Sequence, residues 1–220
     1  MVVRSSHMKS VDDICKFLGE NIHSLNRDSY LAISLYNPDS NSIGIKGVFG
    51  FEGQSDEMVK NFLKNMENLT FDPDQTGESS KLFVSGKLDK VPGGLYDILD
   101  GKIPKDLCRM VEEMLEIEEA YTVGFALGKR PYGGISIFKK KGTKIKFRSV
   151  IETLANHSSV IIHQKQAESK LNRSEREKNL ILNTTEEMFA YYDTDLRIQW
   201  LNPASAESMG LKSEDMIGKY

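Results

Sequence analysis

The sequence predicts an α+β fold: an antiparallel sheet flanked by helices, followed by a long connecting helix and an incomplete second α/β segment. Three observations predict it. β-rich runs come in pairs around turn clusters, at residues 30–36 with 43–51 and at residues 120–127 with 132–138, and such pairs read as hairpins of adjacent antiparallel strands. Amphipathic helical patterns lie before, between and after those pairs, which places helices against the sheet. Residues 147–184 hold neither proline nor glycine and run well beyond the length of an ordinary globular helix.

In chain order, residues 1–9 have no hydrophobic period and read as a tag or disordered leader. Ser10 then caps an amphipathic helix carrying Val11, Ile14, Cys15, Leu18, Ile22 and Leu25. Cys15 falls on its apolar stripe and reads as a small buried hydrophobe. The first hairpin turns at residues 37–42. A helix over residues 55–66 follows, capped by Ser55 or Asp56, with Met58, Val59, Phe62, Leu63 and Met66 on one face.

Periodicity fails over residues 67–92, where turn signals surround one short apolar run at residues 81–84. An irregular stretch of that length inside a compact domain reads as a binding loop or as disorder. Pro104 opens a helix expected to bury Leu107, Met110, Val111, Met114 and Leu115. Cys108 lies beside that stripe with Arg109 next to it, an arrangement that can lower a thiol pKa, although a structural cysteine is the favoured reading. After the second hairpin, a basic turn at residues 139–144 leads into the long helix. Val150, Ile151, Leu154, Ala155, Ile161 and Ile162 give its first half a stripe able to cover a sheet, whereas its second half is mostly charged. A helix of that kind joins one folded unit to the next.

Composition narrows the function classes. A net charge of −3 with 28% charged residues gives no global field that would favour nucleic acid or a membrane surface. Two cysteines cannot make a disulfide framework or a cysteine-based zinc site, so a cytoplasmic setting is the default. No run approaches the roughly twenty apolar residues of a membrane span. A search for catalytic triads, metal clusters, phosphate loops and paired carboxylates finds only isolated residues. The expectation is no catalytic residue, no metal site and no enzyme within this chain; no cofactor is named by it.

Tyr121-Thr122-Val123-Gly124, the run from Arg130-Pro131-Tyr132-Gly133-Gly134 to Phe138, and Glu152-Thr153-Leu154-Ala155-Asn156 resemble the C-terminal half of a GAF domain, the small sensory module of signalling proteins. The resemblance covers roughly residues 10–166. It departs from two ligand classes of that family. No Asn-Lys-Phe-Asp-Glu signature of the cyclic-nucleotide binders is present, and Cys108 is followed by Arg109 where bilin binders place a His. After the helix, Asp193-Thr194-Asp195, then Ile198 to Asn202-Pro203-Ala204, then Gly210 to Glu214-Asp215-Met216-Ile217-Gly218 resemble the opening of a PAS domain. The expected boundaries are residues 10–166 for the GAF-like domain, 167–185 for the connecting helix and 186–220 for a truncated PAS-like segment. With only two strands, that last segment is expected to be poorly ordered or stabilised by another chain.

This order resembles the input region of a two-component sensor histidine kinase. What the resemblance implies is a module that binds a small molecule or partner in its first domain and relays the event through the helix to the PAS and kinase domains. Two alternatives stand beside it: a ligand-free dimerisation and relay element, or a haem or redox sensor using Cys108 or a histidine. His157 and His163 read as partly exposed helix residues. Candidate pocket residues are Phe71, Phe83, Tyr96, Cys108, Met110, Tyr121 and Phe125, because aromatic and apolar groups line such sites. Leu154, Ile161, Leu171 and Leu182 mark a seam for a homodimer along the helix.

Overall fold

The computed structural model describes residues 10–74, 82–128, 130–210 and 216–219. The expectations for residues 1–9, for the turn at residues 76–80, for Lys81 and for residues 211–215 lie outside them. Contacts divide the chain into two compact units, Met1–Gln166 and Ala167–Tyr220.

Helix α1 (Val11–Leu25) begins at a reciprocal cap. The Ser10 hydroxyl accepts the Asp13 N–H at 3.1 Å, and the Asp13 carboxylate accepts the Ser10 N–H at 3.1 Å. Strands β1 (Ser29–Asn37) and β2 (Ser42–Phe49) form the first hairpin, with a register shift between Ile33 and Ser34. Helix α2 (Glu57–Glu67) is capped by Asp56, whose carboxylate accepts from the Met58 and Val59 N–H groups; of the two expected caps, this one is used. Among its described residues the region without periodicity contains two short strands, β3 (Thr70–Phe71) and β4 (Asp89–Val91). Helices α3 (Gly94–Ile98) and α4 (Lys105–Met114) follow, then strands β5 (Ile117–Leu127) and β6 (Arg130–Lys140). Helix α5 (Arg148–Thr184) is one 37-residue element.

The six strands make one sheet in the order β3-β2-β1-β6-β5-β4, antiparallel throughout. Side-chain alternation along β1 separates its two faces. Leu31, Ile33 and Leu35 join Val123, Phe125, Ile135 and Ile137 in a cluster closed by Ile14, Leu18 and Ile22 of α1 and Ile151, Ala155 and Ile162 of α5. On the other face Tyr30, Ala32, Ala120 and Phe138 pack with Val59, Phe62 and Met66 of α2, Leu95 of α3, and Cys108, Val111 and Leu115 near α4. Covering both faces explains why these strands read as nearly continuous apolar runs.

One expected stripe is corrected. In α4 the buried line runs through Cys108, Val111 and Leu115, while Met110 and Met114 are 46% and 43% exposed. The helix is turned so that Cys108, at the i−3 position from Val111, takes the inward place, and the flexible methionines are left at the surface.

In the second unit β7 (Ala190–Tyr192) pairs with β8 (Ile198–Leu201), and α6 (Pro203–Ser208) follows. The helix starts at Pro203, two residues before the expected Ser205. Proline at the first helical position needs no N–H, and the Asn202 side chain caps the turn by accepting from the Ser205 N–H at 3.1 Å. The apolar cluster there is small: Ile198, Leu201, Ala206 and Met216. Asn202 is fully buried and binds around itself. Its Nδ2 donates to the carbonyls of Leu182 and Glu187, and its Oδ1 accepts from the Phe189 N–H and the Ser205 hydroxyl.

Candidate functional site

A cavity of about 80 Å³ lies on the sheet face covered by α2 to α4. Its floor comes from positions of β1 and β6 that alternate away from the α1–α5 core: Ala32 and Ser34, and Ser136 and Phe138. Ala32 stands opposite Ser136 in the ladder, so the two serines are diagonal neighbours on one face. Ile43 and Ile45 of β2, Met66 of α2, Phe71 of β3, Phe83, Ile98 and Leu99 supply the apolar walls, and Asp72 and Asp100 also line it, both exposed. Ser136 is 5% exposed, and neither its hydroxyl nor that of Ser34 is hydrogen-bonded to a described residue. Because no sealed side-chain oxygen among the described residues lacks a partner, the Ser136 hydroxyl opens onto the cavity.

Phe83 belongs to a segment that passes from one face of the sheet to the other. It lies against Gly124 of β5 and Gly134 of β6. A Cβ at Gly124 would stand 1.6 Å from the Phe83 carbonyl oxygen, and one at Gly134 would stand 2.5 Å from the Phe83 ring. Only residues without a side chain let the chain approach this closely. Five residues later Leu88 is fully buried in the opposite core, and the chain enters β4, whose pairing with β5 reaches only to Thr122.

Helix α5 holds this crossing segment by three side chains four residues apart on one helical face. Asn156 Nδ2 donates to the Gly86 carbonyl at 3.0 Å, Glu152 Oε1 accepts the Leu88 N–H at 2.9 Å, and the Arg148 guanidinium donates to the Leu88 carbonyl. Arg148 also lies over the Tyr121 ring at 5.3 Å. From there a charged network continues. The Tyr121 hydroxyl donates to Glu119, Glu119 pairs with Lys90 at 2.7 Å, and Lys139 pairs with Glu118 at 2.6 Å and with Glu119 at 3.3 Å. Hydrogen bonds from Lys90, Tyr121 and Lys139 hold the Glu119 carboxyl down at about 2, and the Glu118 contact raises Lys139.

The sequence-selected pocket residues therefore divide. Phe71 and Phe83 line the cavity. Tyr96 and Cys108 border a different hollow of about 360 Å³, which includes Lys90, Lys105, Arg109 and Glu112 among its walls. The first cavity is the better candidate, since apolar walls with a few polar groups are what small-molecule sites present. Met110 is at the surface, Tyr121 is partly buried beside Arg148, and Phe125 is in the α1–α5 core. Burial pushes the Cys108 thiol up to about 11, the opposite of what Arg109 alone would do, and Cys15 up to about 12.

Several site residues escaped sequence reasoning. Ser34 and Ser136 could have been noticed as single polar residues at alternating positions in otherwise apolar strands. Glu152 and Asn156 stand inside the Glu-Thr-Leu-Ala-Asn run that carried the family resemblance, but nothing in their spacing named Gly86 and Leu88 as partners. Leu154 and Ile161 pack partly against the first core, Leu171 is 61% exposed, and the Leu182 carbonyl receives Asn202.

Among the described residues there is no group of three or more His, Cys, Asp or Glu placed to hold a metal ion, and no helix long and apolar enough to cross a membrane. No family model matches the sequence, and no curated protein does. Solved structures do share the fold. The GAF domain/HD domain protein from Geobacter sulfurreducens is 13% identical with a TM-score of 0.52, over 72% of this chain and 96% of that one. The chromophore-binding domain of a bacteriophytochrome from R. palustris is 13% identical with a TM-score of 0.52, over 76% of this chain and 60% of that one. The GAF domain of an Acinetobacter phosphoenolpyruvate-protein phosphotransferase is 10% identical with a TM-score of 0.51, over 76% and 90%. The six-stranded antiparallel sheet with its flanking helices is a GAF-like fold.

Proposed function

We propose that this GAF-like fold serves as a sensory input module: a small ligand enters the cavity over β1 and β6, and its presence is passed to α5. The observation that carries the proposal is the crossing segment. Phe83 forms part of the cavity wall, and the same segment is held three to five residues later by Asn156, Glu152 and Arg148 of α5. An occupant that displaces Phe83 pulls on a chain whose other end is fixed to the helix. Coupling requires that the ligand favour one of two arrangements of this contact.

The second unit is the part we propose as the start of a PAS domain, with a histidine kinase beyond it, in a cytoplasmic two-component protein. Two copies pair along α5, using the seam through Leu154, Ile161, Leu171 and Leu182. The exposure of Leu171 supports pairing. It equally supports the alternative of a relay that takes no ligand and acts through dimerisation alone.

A cavity-filling change tests the coupling without needing the ligand. In Ser136→Leu, amide exchange of residues 82–88 and of residues 148–156 is expected to change together. A change confined to residues near position 136 refutes transmission to the helix. Sedimentation of the wild type and of Leu171→Lys tests the pairing, which predicts a dimer weakened by the lysine.

A further inference from the structure

We infer that the cavity takes a short branched-chain aliphatic amine or alcohol and rejects carboxylates and phosphates. This rests on the reading of the cavity as a ligand site and gives that ligand a chemistry. Size comes first. A void of about 150 Å³ is what an engineered apolar cavity offers to benzene, and the space here is about half of that. It suits a group of about three carbons against Ile43, Ile45, Met66 and the phenylalanines.

Polarity comes next. Ser136 is 5% exposed as a residue, and its hydroxyl has no described protein partner and opens onto this space, with Ser34 diagonal to it. A hydroxyl can donate or accept, so it satisfies one hydrogen-bonding group on the ligand whether that group is an alcohol or an amine. Leaving such a group unmatched is unfavourable, which selects against a pure hydrocarbon.

Charge decides the rest. Among the described residues lining the cavity there is no Lys, Arg or His, and the two ionisable side chains are the carboxylates of Asp72 and Asp100. Lys102 carries its ammonium over the outer Phe71 ring at 5.7 Å from the centroid and is not part of the lining. An anion entering here would lose water and gain no counter-charge from the described walls, while an ammonium meets the two exposed carboxylates of Asp72 and Asp100.

The test uses the 220-residue chain and three probes that share one isopropyl group: isopropylamine, isopropanol and isobutyrate. Titrations followed by amide chemical shifts should place the amine and the alcohol beside Ser34, Ser136 and Phe83, with isobutyrate at least about tenfold weaker. Ser136→Ala should weaken both binders by about three- to tenfold, the size of one lost hydrogen bond. Asp72→Asn combined with Asp100→Asn should abolish the advantage of the amine over the alcohol, as should high salt. Isobutyrate binding as well as the amine overturns the charge selection. No shift from any probe at millimolar concentration overturns the ligand class. In either case the exchange experiment on Ser136→Leu still reports independently whether the cavity and α5 are coupled.

Discussion

Gly124→Ala should be among the most damaging single-methyl additions in the first unit. An ideal Cβ at this position meets the Phe83 carbonyl oxygen at 1.6 Å, its carbon at 2.3 Å and its Cα at 2.5 Å. All three are backbone atoms, so no rotamer change relieves the overlap; the crossing segment must move bodily. That segment is tied at Gly86 and Leu88 to α5, so its displacement strains hydrogen bonds as well as packing. Overpacking of a tight site ordinarily destabilises by about 1–3 kcal/mol, and a backbone obstacle puts Gly124→Ala at about 3 kcal/mol or above. Near the thermal midpoint this lowers Tm by roughly 6–12 °C for a unit of this size. Gly134→Ala supplies the contrast, because its new methyl meets the Phe83 ring at 2.5 and 2.7 Å, with the Val123 carbonyl at 2.8 Å. Adding Phe83→Ala should recover part of the loss at Gly134 and none of it at Gly124. Urea unfolding of the four variants decides it: a Gly124→Ala loss below about 0.5 kcal/mol, or rescue at Gly124 by Phe83→Ala, refutes the close approach.

Three further outcomes follow from other parts of the molecule. Phe125→Ala should cost about 3–5 kcal/mol as a core deletion, whereas Phe71→Ala, at a cavity wall, should cost under about 2 kcal/mol; equal losses by chemical denaturation would contradict their separation. The Glu119 carboxyl is depressed in the folded state, so its contribution is present above its ordinary value of about 4.5 and is lost as pH falls from there toward about 2. Glu119→Gln should therefore lose about 1 kcal/mol at pH 7, after allowance for solvent screening, and show a flatter stability curve below pH 4.5; parallel curves for the two proteins would refute the pairing. Asn202→Ala strips partners from the Leu182 and Glu187 carbonyls and the Phe189 N–H, and should release the β7–β8 hairpin, seen as accelerated exchange at residues 189–202 while residues 29–37 are unaffected.

The legible parts of the fold were those with a repeat that physics enforces. Apolar runs between turn clusters marked both hairpins, a period of 3.6 residues marked α1, α2 and the first half of α5, which each bury one face, and a stretch without proline or glycine marked the rest of α5. Residues 67–92 were illegible for the converse reason. β3 has two residues and β4 three, too short to establish alternation, and the crossing segment is fixed by bonds to a helix some sixty residues later in sequence. In α4 the apolar residues outnumber the places available, so periodicity alone could not decide between Cys108 and Met110. The cavity was half legible. Its aromatic walls at Phe71 and Phe83 follow from composition, but its floor of Ala32, Ser34 and Ser136 depends on which face of a doubly covered sheet is left incompletely filled.

The order of strands also sets a timetable for making this protein. β5–β6 and β1–β2 are local hairpins, but the sheet is joined by β1 pairing with β6, Ser29 opposite Lys139, about a hundred residues apart. At about 5–20 residues per second of synthesis, β1 waits roughly 5–20 s for its neighbour. Throughout that interval Leu31, Ile33 and Leu35 belong to an unpaired strand edge with no long helix to cover them. Closing so distant a contact is entropically slow even once both strands exist. The nascent chain is consequently most exposed to wrong pairing between the emergence of β2 and that of β6, and a folding helper that shields β1 over that window would raise the yield of this protein more than one acting after α5 is made.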